Sequence, residues 1–171
     1  TVKILVTGSN GQVGHEFKNL AEDSQHEWFC LERQGLDICN EQQVAHFIAR
    51  ERPDVVVNCA AYTAVDKAES EPGKAFAINA SGSANLAKAC KAHGAALIHI
   101  STDYVFEGDT LTPYEESDST SPTGIYGESK LAGEQAIAEC LERYIILRTA
   151  WVFGAHGNNF VKTMLRLGKE R

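Results

Sequence analysis

Five short apolar runs rich in β-branched residues recur along the chain, at residues 2–6, 28–31, 55–57, 97–100 and 144–147. Each is nearly continuous rather than alternating, the pattern of a strand covered on both faces. Between them lie stretches with helical spacing: Val13, Phe17 and Leu20, then Val44, Phe47 and Ile48, then an Ala-rich segment over 75–92. This alternation predicts an α/β fold, a doubly wound parallel sheet with helices on both faces and right-handed crossovers. Ligands of such sheets gather at the carboxyl ends of the strands, so candidate chemistry is sought there.

Two stretches break the alternation. Residues 107–124 have no period and many turn formers, and so long a loop in a compact domain usually serves function. After Trp151-Val152-Phe153-Gly154 and a loop to Asn159, residues 160–167 begin another helix, and the chain stops at Arg171. The expectation is an N-terminal portion whose C-terminal substrate part is absent. The 171 residues suit one domain at roughly 150 residues per domain.

Lys and Arg number 16 against 23 Asp and Glu, a formal net charge of −7. That balance gives no general attraction to nucleic acid or anionic lipid, so an anionic ligand needs a local site. No apolar run approaches the ~20 residues of a membrane span, and the N-terminus lacks a signal-peptide pattern, so no membrane partner and a cytoplasmic location are expected. Cysteines at 30, 39, 59, 90 and 140 form no C-x-x-C pair, which predicts buried thiols rather than disulfides or zinc. The six histidines show no H-E-x-x-H spacing, and no metal site is expected.

Thr7-Gly8-Ser9-Asn10-Gly11-Gln12-Val13-Gly14 follows the first strand and opens the first helix. Glycines permit a sharp turn and let main-chain N–H groups approach a pyrophosphate at the positive end of the helix. The spacing is G-x-x-G-x-x-G rather than the common G-x-G-x-x-G, and its place between strand and helix points to a dinucleotide. The second strand ends at Glu32-Arg33. Glu32 suits a ribose 2′-hydroxyl, arguing for NADH, and Arg33 suits a 2′-phosphate, arguing for NADPH. Asp37 and Ile38 lie within reach of an adenine, and Asn58-Cys59-Ala60-Ala61 ends the third strand in small residues that let a ribose pass close to the backbone.

The fourth strand delivers Ser101, Thr102, Asp103 and Tyr104 to the carboxyl edge, and the long loop leads on to Tyr126-Gly127-Glu128-Ser129-Lys130. At i and i+4 on a starting helix, Tyr126 and Lys130 share a face. An ammonium near the phenol is expected to lower its pKa from ~10, making Tyr126 an acid or base near neutral pH. A Ser or Thr hydroxyl at the strand end would orient a carbonyl.

Together the glycine turn, the Ser101-Thr102 strand end and Tyr126-x-x-x-Lys130 resemble the extended short-chain dehydrogenase/reductase family, whose members mostly act on nucleotide sugars. The blocks from Ala60 to Glu69, from Ser101 to Phe106, from Arg148 to Gly154 and from Gly157 to Phe160 resemble its branch of dTDP-4-keto-sugar reductases, and the similarity runs the length of the chain. The resemblance implies Thr102, Tyr126 and Lys130 as the catalytic set, with Tyr104, Trp151 and Asn159 toward the sugar. It implies cofactor contacts at Gly8, Asn10, Gly11, Gln12, Val13, Gly14, Asp37, Ile38, Ala60, Ala61 and Thr63, beside Tyr126 and Lys130. The implied chemistry is hydride transfer from NADPH or NADH to C4 of dTDP-4-dehydro-6-deoxy-L-mannose, with Tyr126 donating the proton, Lys130 binding the nicotinamide ribose and Thr102 holding the carbonyl oxygen. Ser101 is the second candidate for that last role.

Other activities stay open. A sister dehydratase characteristically carries Ser-Thr-Asp-Glu at the strand end; here the fourth position is Tyr104, whose phenol cannot replace a carboxylate as acid or base. An epimerase also uses Tyr and Lys and is excluded less firmly. A non-catalytic partner resembling the regulatory subunit of methionine adenosyltransferase would show no turnover. The oligomeric state is open and compatible with a homodimer.

Overall fold

The computed structural model describes residues 1–170. Five strands, β1 (Lys3–Thr7), β2 (Glu27–Leu31), β3 (Val55–Asn58), β4 (Ala96–Thr102) and β5 (Tyr144–Thr149), form one all-parallel sheet in the order β2-β1-β3-β4-β5. The expected doubly wound α/β fold is present. The chain moves one way from β1 to β2 and the other way from β2 onward. With right-handed crossovers, helix α1 (Gln12–Glu22) therefore lies on one face, and α2 (Glu41–Glu51), α5 (Ser83–His93) and α6 (Ile125–Cys140) lie side by side on the other. The winding reverses between β1 and β3, which opens a crevice at their carboxyl ends.

The core lies between the sheet and the three-helix layer. Leu5, Val56 and Leu97 pack against Val44, Ile48, Leu86 and Ile137, all at most marginally exposed, and each such side chain contributes about 1.5–3 kcal/mol by leaving water. The α1 face is thinner. Ile145 and Leu147 of β5 remain about half exposed, as does much of the apolar side of helix α7 (Phe160–Lys169), so helix cover on this face is less complete than the strand pattern predicts. Leu20, expected to face inward, is 64% exposed. Among the described residues no helix is long and apolar enough to cross a membrane, and no group of three or more His, Cys, Asp or Glu is placed to hold a metal ion.

The Ala-rich segment is not one regular helix. After the short helices α3 (Val65–Ala68) and α4 (Pro72–Phe76), residues Ala77–Gly82 form a turn of π-helix that runs into α5. The Asn79 side chain is drawn out to the backbone of Tyr62, accepting from its N–H at 2.8 Å and donating to its carbonyl at 3.1 Å. The Ser83 hydroxyl donates to the Asn79 carbonyl, and Gly82 lies against the Ile38 side chain. These ties stabilise the inserted residue that a π turn requires. The thiols also differ from expectation: Cys90 is buried, Cys30, Cys59 and Cys140 are half-buried, and Cys39 is exposed, because it follows the turn out of β2 rather than sitting in an element.

A buried polar cluster joins β1, β3 and β4. Asn58 Oδ1 accepts from the Thr7 hydroxyl at 2.7 Å and from the Ala60 N–H at 3.2 Å, which orients its amide so that Nδ2 donates to His99 Nδ1 at 3.1 Å. His99 is then neutral, with its proton on Nε2, and burial lowers its pKa to about 3. An unfolded His takes up its proton near 6.5 and the folded one only near 3, so stability falls as pH drops through that window, by up to ~1.4 kcal/mol per unit. Urea midpoints are expected to decline between pH 6.5 and 4.5, above the range where depressed carboxylates titrate, and that decline should disappear in His99→Gln. A decline unchanged by the substitution would remove His99 as its source.

Candidate active site

The crevice begins at the glycine turn. Gly8 has φ +65°, and a Cβ there would stand 2.6 Å from the Ala60 backbone nitrogen, so β1 turns away directly over the end of β3. A Cβ on Gly14 would stand 2.3 Å from the Gly8 carbonyl oxygen; this glycine lets α1 start against the turn. Gly11 is the N-cap of α1 and offers no side chain to its first N–H groups, and the first turn carries no acid. The positive end of an eleven-residue helix is thus left for an anion.

The cleft has a volume of ≈ 690 Å³. The turn contributes Gly8, Asn10, Gly11, Gln12 and Val13, the stretch after β2 contributes Arg33, Asp37 and Ile38, and the end of β3 contributes Ala60, Ala61 and Thr63. Thr102, Tyr104, Tyr126, Lys130 and Trp151 close it. Three expected residues do not line it. Gly14 is buried behind the turn. Glu32 is exposed outside the cleft, its carbonyl accepting the N–H groups of Gly35 and Leu36 as the chain bends after β2. Asn159 caps α7 by accepting from the Lys162 N–H at 3.0 Å, while its amide donates to Gln12 Oε1 and to the Gly154 carbonyl. Of the pair at the end of β2 only Arg33 reaches the cleft, with its guanidinium 3.4 Å from Asp37.

Tyr126 and Lys130 sit on the first turns of α6. Gly124 gives this helix no side-chain cap; Glu69, just beyond α3, accepts the Ile125 N–H instead at 2.8 Å. Gly127 abuts the Tyr104 carbonyl so closely that a Cβ would be 2.3 Å away, and the Tyr126 and Tyr104 rings meet edge to face at 5.3 Å. The expected ammonium–phenol arrangement is corrected here. Lys130 is 2% exposed and donates to the Ile100 carbonyl at 2.7 Å. Burial raises the Tyr126 pKa above its ordinary value, opposed by a hydrogen bond with Thr102 and reinforced by Asp103 and Tyr104. Burial also brings Lys130 down to about 8, against the opposing charge of Glu134.

Four residues around this pair were given no role by the sequence reading. Asn79 Nδ2 also donates to the Ser129 hydroxyl at 3.0 Å, tying the β3 end to α6. The Ser101 hydroxyl donates to Glu134, and Arg148 clasps both oxygens of the same carboxylate, at 3.0 and 2.7 Å. Ser101 is therefore bound to a buried carboxylate, whereas the Thr102 hydroxyl donates to Asp103 and accepts from the Tyr104 N–H, both at 3.2 Å, and lines the cleft beside Tyr126. The available signals were an Asn inside an Ala-rich helix and a Glu one helical repeat beyond Lys130.

A strap after β5 crosses the mouth. His156 Nε2 lies 2.9 Å from the Asn10 carbonyl, and its ring stacks on His15 at 3.8 Å. Trp151 adopts φ +53° and packs edge to face on Phe160 at 5.1 Å. Its ring remains 75% exposed at the cleft rim.

The chain is 48% identical over 174 residues to a dTDP-4-dehydrorhamnose reductase of Shigella flexneri, covering 99% of this chain and 58% of the relative. It is 51% identical over 167 residues to one of Mycolicibacterium smegmatis, covering 96% and 50%. The solved structure of a dTDP-4-dehydrorhamnose reductase from Bacillus anthracis in complex with NADP superposes with a TM-score of 0.94 at 46% identity, over all of this chain and 61% of that one. The chain thus spans little more than half the length of the curated relatives it matches. The family model for the RmlD substrate binding domain matches residues 2–171, and with that match over nearly every residue the chain belongs to the RmlD substrate binding domain family.

Proposed function

We propose that residues 1–171 form one NAD(P)-binding domain and that the protein reduces the C4 carbonyl of dTDP-4-dehydro-6-deoxy-L-mannose to dTDP-L-rhamnose with NADPH or NADH. The observation that carries this reading is the meeting of Thr102, Tyr126 and Lys130 at the edge of the cleft that the glycine turn opens. Relatives named for this reduction, at 46–51% identity, support it.

The turn fits a dinucleotide because Gly8, Gly11 and Gly14 remove the side chains that would block a pyrophosphate, and the uncapped start of α1 offers N–H donors. The bound nicotinamide would supply the hydride. Tyr126, held protonated by burial, donates its proton to the oxygen developing at C4. Thr102 orients that oxygen, and the Lys130 ammonium, held by the Ile100 carbonyl and lining the cleft, is placed for the nicotinamide ribose. Tyr104 and Trp151 form the aromatic border for the hexose. Tyr104 in place of a carboxylate disfavours elimination of water.

The whole protein, incubated with the keto sugar nucleotide, is expected to oxidise NADPH or NADH in step with formation of dTDP-L-rhamnose. Failure to oxidise either would overturn the reading. Arg33 reaches the cleft and Glu32 does not, so Arg33→Ala is expected to weaken NADPH about tenfold, by loss of one charge-assisted contact, and to leave NADH nearly unchanged. Titrations with both cofactors check this; equal losses would show that Arg33 does not meet the 2′-phosphate.

A further inference from the structure

Tyr126, Lys130 and Glu134 follow one another at four-residue spacing on one face of α6. Glu134 is 4% exposed. Its carboxylate meets α6, β4 and β5 at once, accepting from the Ser101 hydroxyl and clasping Arg148, whose guanidinium also lies over the Phe106 ring at 4.9 Å. Ser101 is the residue between Ile100, whose carbonyl holds the Lys130 ammonium, and Thr102, which lines the cleft with Tyr126. The Thr149 hydroxyl donates to the Ser101 carbonyl and fixes the same point from β5.

We propose that Glu134 is a positioning residue for the Tyr126–Lys130 pair: its buried carboxylate clamps Ser101, and so the two groups on either side of it, and serves Lys130 and Arg148 as a shared counter-ion. A buried carboxylate with only a packing role would need one cation and its hydrogen bonds; this one has Arg148 for that and also stands one helical turn from the buried Lys130. Lys130 is almost entirely withdrawn from solvent. Glu134 and Tyr126 stand one turn to either side of it on its own helix, Cys59 at the end of β3 and His99 on β4 act on it, and Arg148 lies on the far side of Glu134. Of these Glu134 is the buried anion, so its charge has the largest part in keeping Lys130 protonated.

The inference rests on the reductase reading for its consequence and not for its test. In the whole protein without substrate, the Lys130 side-chain resonance, assigned by its loss in Lys130→Arg, is followed against pH. Glu134→Gln keeps the shape and removes the charge, and the Lys130 midpoint is expected to move down from about 8 by about one unit. With substrate, the alkaline fall in kcat should move by the same amount, and kcat at neutral pH should drop while dinucleotide affinity holds. A Lys130 midpoint unchanged in folded Glu134→Gln would overturn the proposal. Should that variant not fold, Arg148→Gln leaves the carboxylate facing Lys130 without its competing cation; a rise in the midpoint supports the proposal, and a fall or no change overturns it. Absence of turnover in the unsubstituted protein would instead sink the reductase reading and leave the titration standing.

Discussion

Replacing Tyr126 with Phe is expected to lower turnover of the keto sugar at least ~100-fold, the scale of a lost general acid, with little change in dinucleotide affinity. In the proposed reaction the phenol is the acid, and it lines the cleft with its proton retained at neutral pH, since burial raises its pKa. Phe preserves the edge-to-face packing on Tyr104, so the loss would fall on kcat rather than on binding. Steady-state kinetics beside a titration with NADPH separate the two. Near-normal turnover would mean that another group donates the proton. The proposed reduction would consume a proton at the C4 oxygen, so a phenol held protonated is the state that step would require.

The second large effect is expected at Gly14. In Gly14→Ala the new Cβ must find room 2.3 Å from the Gly8 carbonyl oxygen and 2.8 Å from the Ser9 Cα, all backbone atoms that cannot rotate away. Either α1 withdraws from the turn or the turn opens, at a cost of about 1–3 kcal/mol by analogy with overpacked cores. Both movements misplace the N–H groups at the start of α1, so dinucleotide binding should weaken at least tenfold and the unfolding midpoint should fall by several degrees. Thermal unfolding and calorimetric titration with NADPH read these separately. Intact affinity in Gly14→Ala would show that the turn tolerates a side chain and that the cofactor does not depend on its present shape. Gly73→Ala is the control, since a Cβ there meets nothing within 4 Å.

Much of the architecture was legible from local pattern. The five apolar runs became five parallel strands, each shifted or extended by no more than two residues at either end, because the inner strands of a sheet covered on both faces need continuous apolar, β-branched sequence. The glycine turn was legible for a related reason: Gly8 must adopt positive φ and Gly14 must lack a Cβ, which are requirements of the backbone itself. Tyr126 and Lys130 were found together because helical spacing alone puts them on one face.

The sequence by itself therefore determined the strand order in time, the phosphate-type turn and the identity of the groups at the carboxyl edge. What only the tertiary structure decided is how those groups are charged and which of two neighbours faces the cleft. Tyr126 is pushed up rather than down because burial, reinforced by Asp103 and Tyr104, outweighs Thr102, and because Lys130 points to Ile100, thirty residues away in the chain. Arg33 rather than Glu32 reaches the cleft because of the bend after β2, and Ser101, though it lines the cleft beside Thr102, has its hydroxyl taken by Glu134. Asn159 became a helix cap through its own local geometry and a partner of Gln12 across 147 residues. Desolvation and competition for a buried partner are set by which distant segments meet, and no short-range pattern of residue types records that.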